Sequence, residues 1–245
     1  MLLTFVVFGG LVAFLGIRPY QPWLLWLTAA LAALAVDGIV RSSPSWTDRS
    51  PLSSLVFLFL PAFAVLGGGF FIDHALDGYA RLFFAIVPAL AVGFIAFGEY
   101  HTVDISSRLY GAVRLTLTVA TYLTAFALFT VIYTNGLDLR FGTVAAGLVS
   151  LGLSMELLRE SRLLGPSSVL VSLAVGISMA ELRLVLYFFP LDGLLAGALL
   201  IIGFYLATGL VHHMLDHDLE WSTTAEYVAV AAVGTVAVIL TRLVV

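Results

Sequence analysis

Cysteine and lysine are both absent from this 245-residue chain. Without cysteine there is no disulfide, no thiolate metal site and no cysteine nucleophile. Without lysine there is no Schiff-base chemistry, which needs a lysine amine, and all eleven basic residues are arginine. Charge of either sign is also scarce: Asp, Glu, Lys and Arg make up 11% of the residues, against about a quarter in soluble domains. The net charge of −4 comes from short loops. That leaves no basic patch for nucleic acid or for an anionic membrane surface, and no nucleic-acid partner is expected.

What is abundant is apolar surface, at 61% of the residues. Such a chain reads as an all-α, polytopic membrane bundle with the lipid bilayer as its surroundings. About nine spans can be marked off by proline, arginine and polar loops. They run from Met1 to Ile17, Trp23 to Val40, Leu52 to Ile72, Arg81 to Gly98, Gly111 to Thr134, Phe141 to Leu158, Ser167 to Phe189, Leu191 to Val211 and Ser222 to Val245. Most approach the roughly 20 residues that cross about 30 Å of hydrocarbon. Arg41, Arg49, Arg108, Arg159 and Arg162 fall on the N-terminal side of this arrangement. Arg18, Arg81, Arg140 and Arg242 fall on the other side, and the balance favours a cytoplasmic N-terminus and an external C-terminus.

Shifting the chain by 115 residues lays Pro51 on Pro166, Ser53 on Ser168, and Asp77-Gly78 on Asp192-Gly193. His101-x-x-Asp104 finds a counterpart in His213-x-x-Asp216 once a few gap positions are allowed. A duplication of residues 1–110 in 111–220, with an extra helix over 221–245, is the organisation this predicts. Each half has an even number of helices, so the two would be related by an axis along the membrane normal.

The polar residues fall into three groups. Asp37, Glu156, His101 and His213 end helices on one predicted face, where they suit ion binding or general acid and base work on a lipid headgroup. Arg114, in the first turn of the fifth span, suits an anion clamp there. The local alternative for Asp37 with Arg41, and for Glu156 with Arg159, is a helix-end ion pair. Glu181 and Arg183 are the most deeply placed charges. Two residues apart, they point in different directions and are not each other's partner. Intramembrane charges of this kind mark a pathway or a substrate site.

The third group is the polar run His212 to Glu220. His213 and His217 are four apart and share a helix side, with Asp216 between them, so a divalent metal is the cofactor this spacing implies. The neighbouring Asp216, Asp218 and Glu220 favour protonated imidazole and so work against a metal, which makes a hydrated helix end the competing reading.

Nine helices with acids ending the second and sixth resemble the UbiA family of membrane prenyltransferases. By position the resemblance implies magnesium-holding motifs at Asp37 to Arg41 and Glu156 to Glu160. The first of these has arginine where the family pattern has an acid, and the second has two acids only, so the likeness is one of architecture. Three functions follow from these readings. One is an enzyme acting on an isoprenoid or other lipid from a polar cavity near one face. Another is a small-solute or proton-coupled transporter using Glu181 and Arg183. The last is a non-catalytic subunit or scaffold. The oligomeric state is not legible.

Overall fold

The computed structural model describes residues 1–17, 19–46, 54–104, 106–160, 166–215 and 220–244. Every regular element among them is helical. Seven helices are long and apolar enough to cross a membrane. Their outward faces are the greasy ones: on the helix Pro22–Arg41, Trp23, Leu27, Leu31 and Leu34 stand exposed, one every three or four residues. The chain is an integral, multi-pass membrane protein. It divides into two compact units, Met1–Thr124 and Ala125–Val245.

The first unit contains α1 (Leu2–Gly16), α2 (Pro22–Arg41), α3 (Val56–Ala75), the short α4 (Ala80–Phe84), α5 (Ile86–Thr102) and the first half of α6 (Tyr110–Thr134). Pro22 starts α2, where its missing N–H costs nothing. Ala85 separates α4 from α5, although Ala80–Thr102 is a single apolar stretch. At 15 residues α1 is about 22 Å long, shorter than the hydrocarbon core it was expected to cross.

Apolar burial drives little association between helices in lipid, so close approach at small residues takes its place. Gly10 of α1 lies on Thr28 of α2, and Gly69 of α3 on Leu25 of α2. A Cβ on Gly68 of α3 would come within 2.5 Å of the Pro88 side chain of α5. Val36 and Val40 of α2, Phe57 of α3 and Ala96 of α5 form one buried cluster. This joins the end of α2, the start of α3 and the end of α5.

The second unit contains the rest of α6, α7 (Leu139–Leu157) with a 3₁₀ turn at Leu158–Glu160, α8 (Pro166–Leu186), α9 (Gly193–Leu215) and α10 (Trp221–Val244). α7 and α8 pack backbone to backbone, because a Cβ on Gly176 would sit 2.9 Å from the Gly147 carbonyl oxygen. Gly193 and Gly197, one turn apart on α9, lie on Thr134 and Thr130 of α6. This is the small-residue spacing that brings membrane helices together. α7 is 19 residues long but has Arg140 at its start and Glu156 near its end, and it is less apolar than the seven.

Candidate functional site

Arg183 is the most unusual residue of the second unit. It lies one turn before the end of α8 and is only 2% exposed. Its guanidinium carbon sits 5.0 Å from the centre of the Tyr133 ring and 5.3 Å from that of Tyr187. Gly142 of α7 makes room for it, since a Cβ there would fall 2.8 Å from Nη2. The Tyr133 hydroxyl donates to the carbonyl oxygens of Leu186 and Phe189, each at 2.9 Å. That ties the end of α6 to the turn after α8 and holds the ring against the arginine. No carboxylate of the described residues pairs with Arg183, and its buried Nε and Nη1 meet no hydrogen-bond acceptor.

An arginine held between two aromatic faces gains about 0.5–2 kcal/mol from each. Each buried charged donor left without an acceptor costs about 1–3 kcal/mol. At the middle of these ranges the two tyrosines return about 2.5 kcal/mol against a cost of about 4 kcal/mol.

Glu181 is exposed and has no part in this arrangement. The sequence expectation that it diverges from Arg183 holds, but as a substrate-binding residue it stands away from the arginine.

The interfacial residues in the first unit collect at one end. Asp37 adjoins Val36 of the buried cluster, while Glu99 and His101 follow Ala96 on α5. Asp37 and Arg41 form the i,i+4 ion pair at 2.8 Å, and Arg41 also donates to Ser54 Oγ at 2.5 Å. His101 stacks on Phe97 with ring centres 4.4 Å apart. Arg114 is 6% exposed in α6. Glu99, which the sequence reading passed over, is fully buried in α5. After Asp104, the Ser106 hydroxyl and then its N–H donate to the Asp104 carboxylate, at 2.6 Å and 3.0 Å, and hold it below the usual carboxylate range.

Glu156, in the second unit, is buried and lies 3.2 Å from Arg159, the local pairing its spacing allowed. His213 Nε2 is 3.4 Å from the Tyr227 hydroxyl, and Tyr227 packs on Tyr205 at 5.1 Å. These rings fill the contact between α9 and α10. The proposed metal partners Asp216 and His217 lie outside the described residues. Among the described residues no three His, Asp or Glu side chains gather as a metal site.

Two cavities walled by described residues are chiefly apolar. The first, about 630 Å³, is bounded by Met1, Leu90, Phe94, Phe97, Leu109 and their neighbours. The second, about 480 Å³, lies between α8, α9 and α10.

Fold and site together define a multi-pass helical membrane protein with a buried arginine in its second unit that meets no carboxylate among the described residues. Residues 2–241 match the family model described as "Protein of unknown function (DUF5656)", and the chain belongs to that family. The matching model is thus not that of the membrane prenyltransferases. No curated protein and no solved structure matches.

Proposed function

We propose that this membrane protein binds a small oxyanion, a carboxylate or phosphate group, at Arg183, and that this binding is the recognition step in handling an anionic solute. The observation that carries the reading is the buried guanidinium with two donor nitrogens lacking acceptors. Arginine suits the role because its charge persists and its planar fork matches carboxylate and phosphate oxygens. Its place one turn from the end of α8 gives a ligand a short path from that membrane face.

The lipid-enzyme reading has less support, because Asp37 and Glu156 each lie against an arginine of their own helix end. The reading also takes the chain as duplicated. In its support, α2 and α3 in the first unit and α7 and α8 in the second are packed pairs, each followed by a long apolar stretch, Ala80–Thr102 and Gly193–Leu215. Under that alignment Arg183 faces Gly68, so the anion site belongs to the second copy only.

The test is calorimetric titration of the purified protein with inorganic phosphate, acetate and a short-chain phosphatidic acid. Saturable heat with a free anion, lost in Arg183→Gln and partly kept in Arg183→Lys, supports the reading. Heat with the lipid alone assigns the anion to a headgroup. No binding by the wild-type protein, or equal binding by Arg183→Gln, overturns the reading in favour of a scaffold whose arginine only joins helices.

A further inference from the structure

The second apolar cavity has a feature that a simple helix gap lacks. Leu182 and Leu186 of α8, Ile202 and Leu206 of α9, and Val238 of α10 line it, and Arg242, in the last turn of α10, is the one charged residue of the lining. The only other polar group in the lining is Thr235. Its 480 Å³ falls within the roughly 300–1,000 Å³ of ligand pockets.

Arg242 is exposed in the last turn of α10 and meets no carboxylate among the described residues. Asp192, next to Leu191 of the lining, is exposed and is not itself part of the wall. The outer face of α10 is a run of exposed valines and leucines, Val230, Val233, Val236 and Leu240 among them. The groove therefore borders a helix surface that faces acyl chains. An apolar trough ending in a cation complements an amphiphile with an anionic head. We infer that this groove holds one acyl chain of an anionic glycerophospholipid, with the lipid phosphate on Arg242. A single arginine is no basic patch, but here the trough supplies the remaining affinity and the arginine supplies the selection. This site is separate from Arg183, which faces Tyr133 and Gly142 instead.

The experiment is native mass spectrometry of the full chain after equilibration with equal amounts of phosphatidylglycerol and phosphatidylcholine of identical chains. One juxtamembrane arginine favours an anionic lipid about fivefold, and that is the retention ratio expected. Arg242→Gln is expected to bring the ratio to about one while lipid stays bound. Thr235→Trp, which fills the trough, is expected to lose both lipids. Arg140→Gln, an exposed arginine at the same end of the unit, and Arg183→Met are expected to leave the ratio unchanged. Equal retention of the two lipids by the wild-type protein overturns the inference. So does a ratio unmoved by Arg242→Gln, or one that falls equally with Arg140→Gln. Retention unaffected by Thr235→Trp removes the acyl chain from the groove. A ratio lost in Arg183→Met alone transfers the lipid to the other site and overturns this assignment without touching the oxyanion reading.

Discussion

Replacing Arg183 with methionine separates a structural arginine from a ligand-binding one. Methionine keeps most of the length and packs readily between aromatic rings. It removes two buried donors that lack acceptors, each costing about 1–3 kcal/mol, and gives up two aromatic contacts worth about 0.5–2 kcal/mol each. In anion-free buffer Arg183→Met is therefore expected to be about 1–2 kcal/mol more stable than the wild-type protein. At an anion concentration a hundred times its dissociation constant, the wild-type protein gains about 2.7 kcal/mol and the order reverses. The assay is the midpoint of heat-induced loss of the monodisperse peak in detergent, with and without phosphate or acetate. A variant far less stable than wild type without anion, together with a wild-type midpoint that ignores the anion, would refute the reasoning. In that case the two tyrosines alone would be sufficient partners for the charge.

Gly176→Ala is expected to cost about 1–3 kcal/mol, because its Cβ would meet the Gly147 carbonyl at 2.9 Å and the backbones of α7 and α8 would have to part. Gly9→Ala, with nothing within 4 Å, is expected to be neutral or slightly stabilising in the same thermal assay. The absence of cysteine lets single substitutions report topology. With α3, the Ala80–Thr102 stretch and α6 each crossing the membrane, Ser45→Cys and Asn135→Cys are expected to react with an impermeant thiol reagent from opposite sides, and reaction from one side only would remove a span between them. The Asp104 carboxylate titrates below its ordinary range, so its contribution to stability is present above the unfolded value and is lost as pH falls through the lower, folded one. Ser106→Ala removes the hydroxyl donor and keeps the backbone N–H, so it is expected to move that titration upward in a carboxylate NMR signal, and an unmoved signal would show that the hydroxyl hydrogen bond is not formed in solution.

Much of this fold is legible in the sequence because lipid makes a simple demand: each span must be apolar for about twenty residues and must end at something polar. Pro22, Arg41, Arg140 and Pro190 mark such ends. The Asp37–Arg41 and Glu156–Arg159 pairs are legible for the same reason as any short-range pair, since helix geometry fixes them. So is the divergence of Glu181 from Arg183. The surroundings of Arg183 are not legible. Tyr133 and Gly142 belong to other helices, and only packing brings a tyrosine and a missing side chain to the guanidinium. Glu99 was missed because it sits at the end of an apolar run beside Tyr100 and His101, where an acid reads as interfacial. The shortness of α1 and the break at Ala85 lie inside apolar runs that show no such boundary.

The central claim is that Arg183 carries an anion, and magnetic resonance reads that contact directly. With arginine labelled in ¹⁵N and the protein held in bilayers of zwitterionic lipid with inorganic phosphate, ³¹P dephasing of the guanidinium nitrogens is measured for wild type and Arg183→Met. A dephased guanidinium signal present in the wild-type spectrum and missing from the variant is the result the account requires. Dephasing no greater than that of the exposed arginines, or identical in the two proteins, would contradict it.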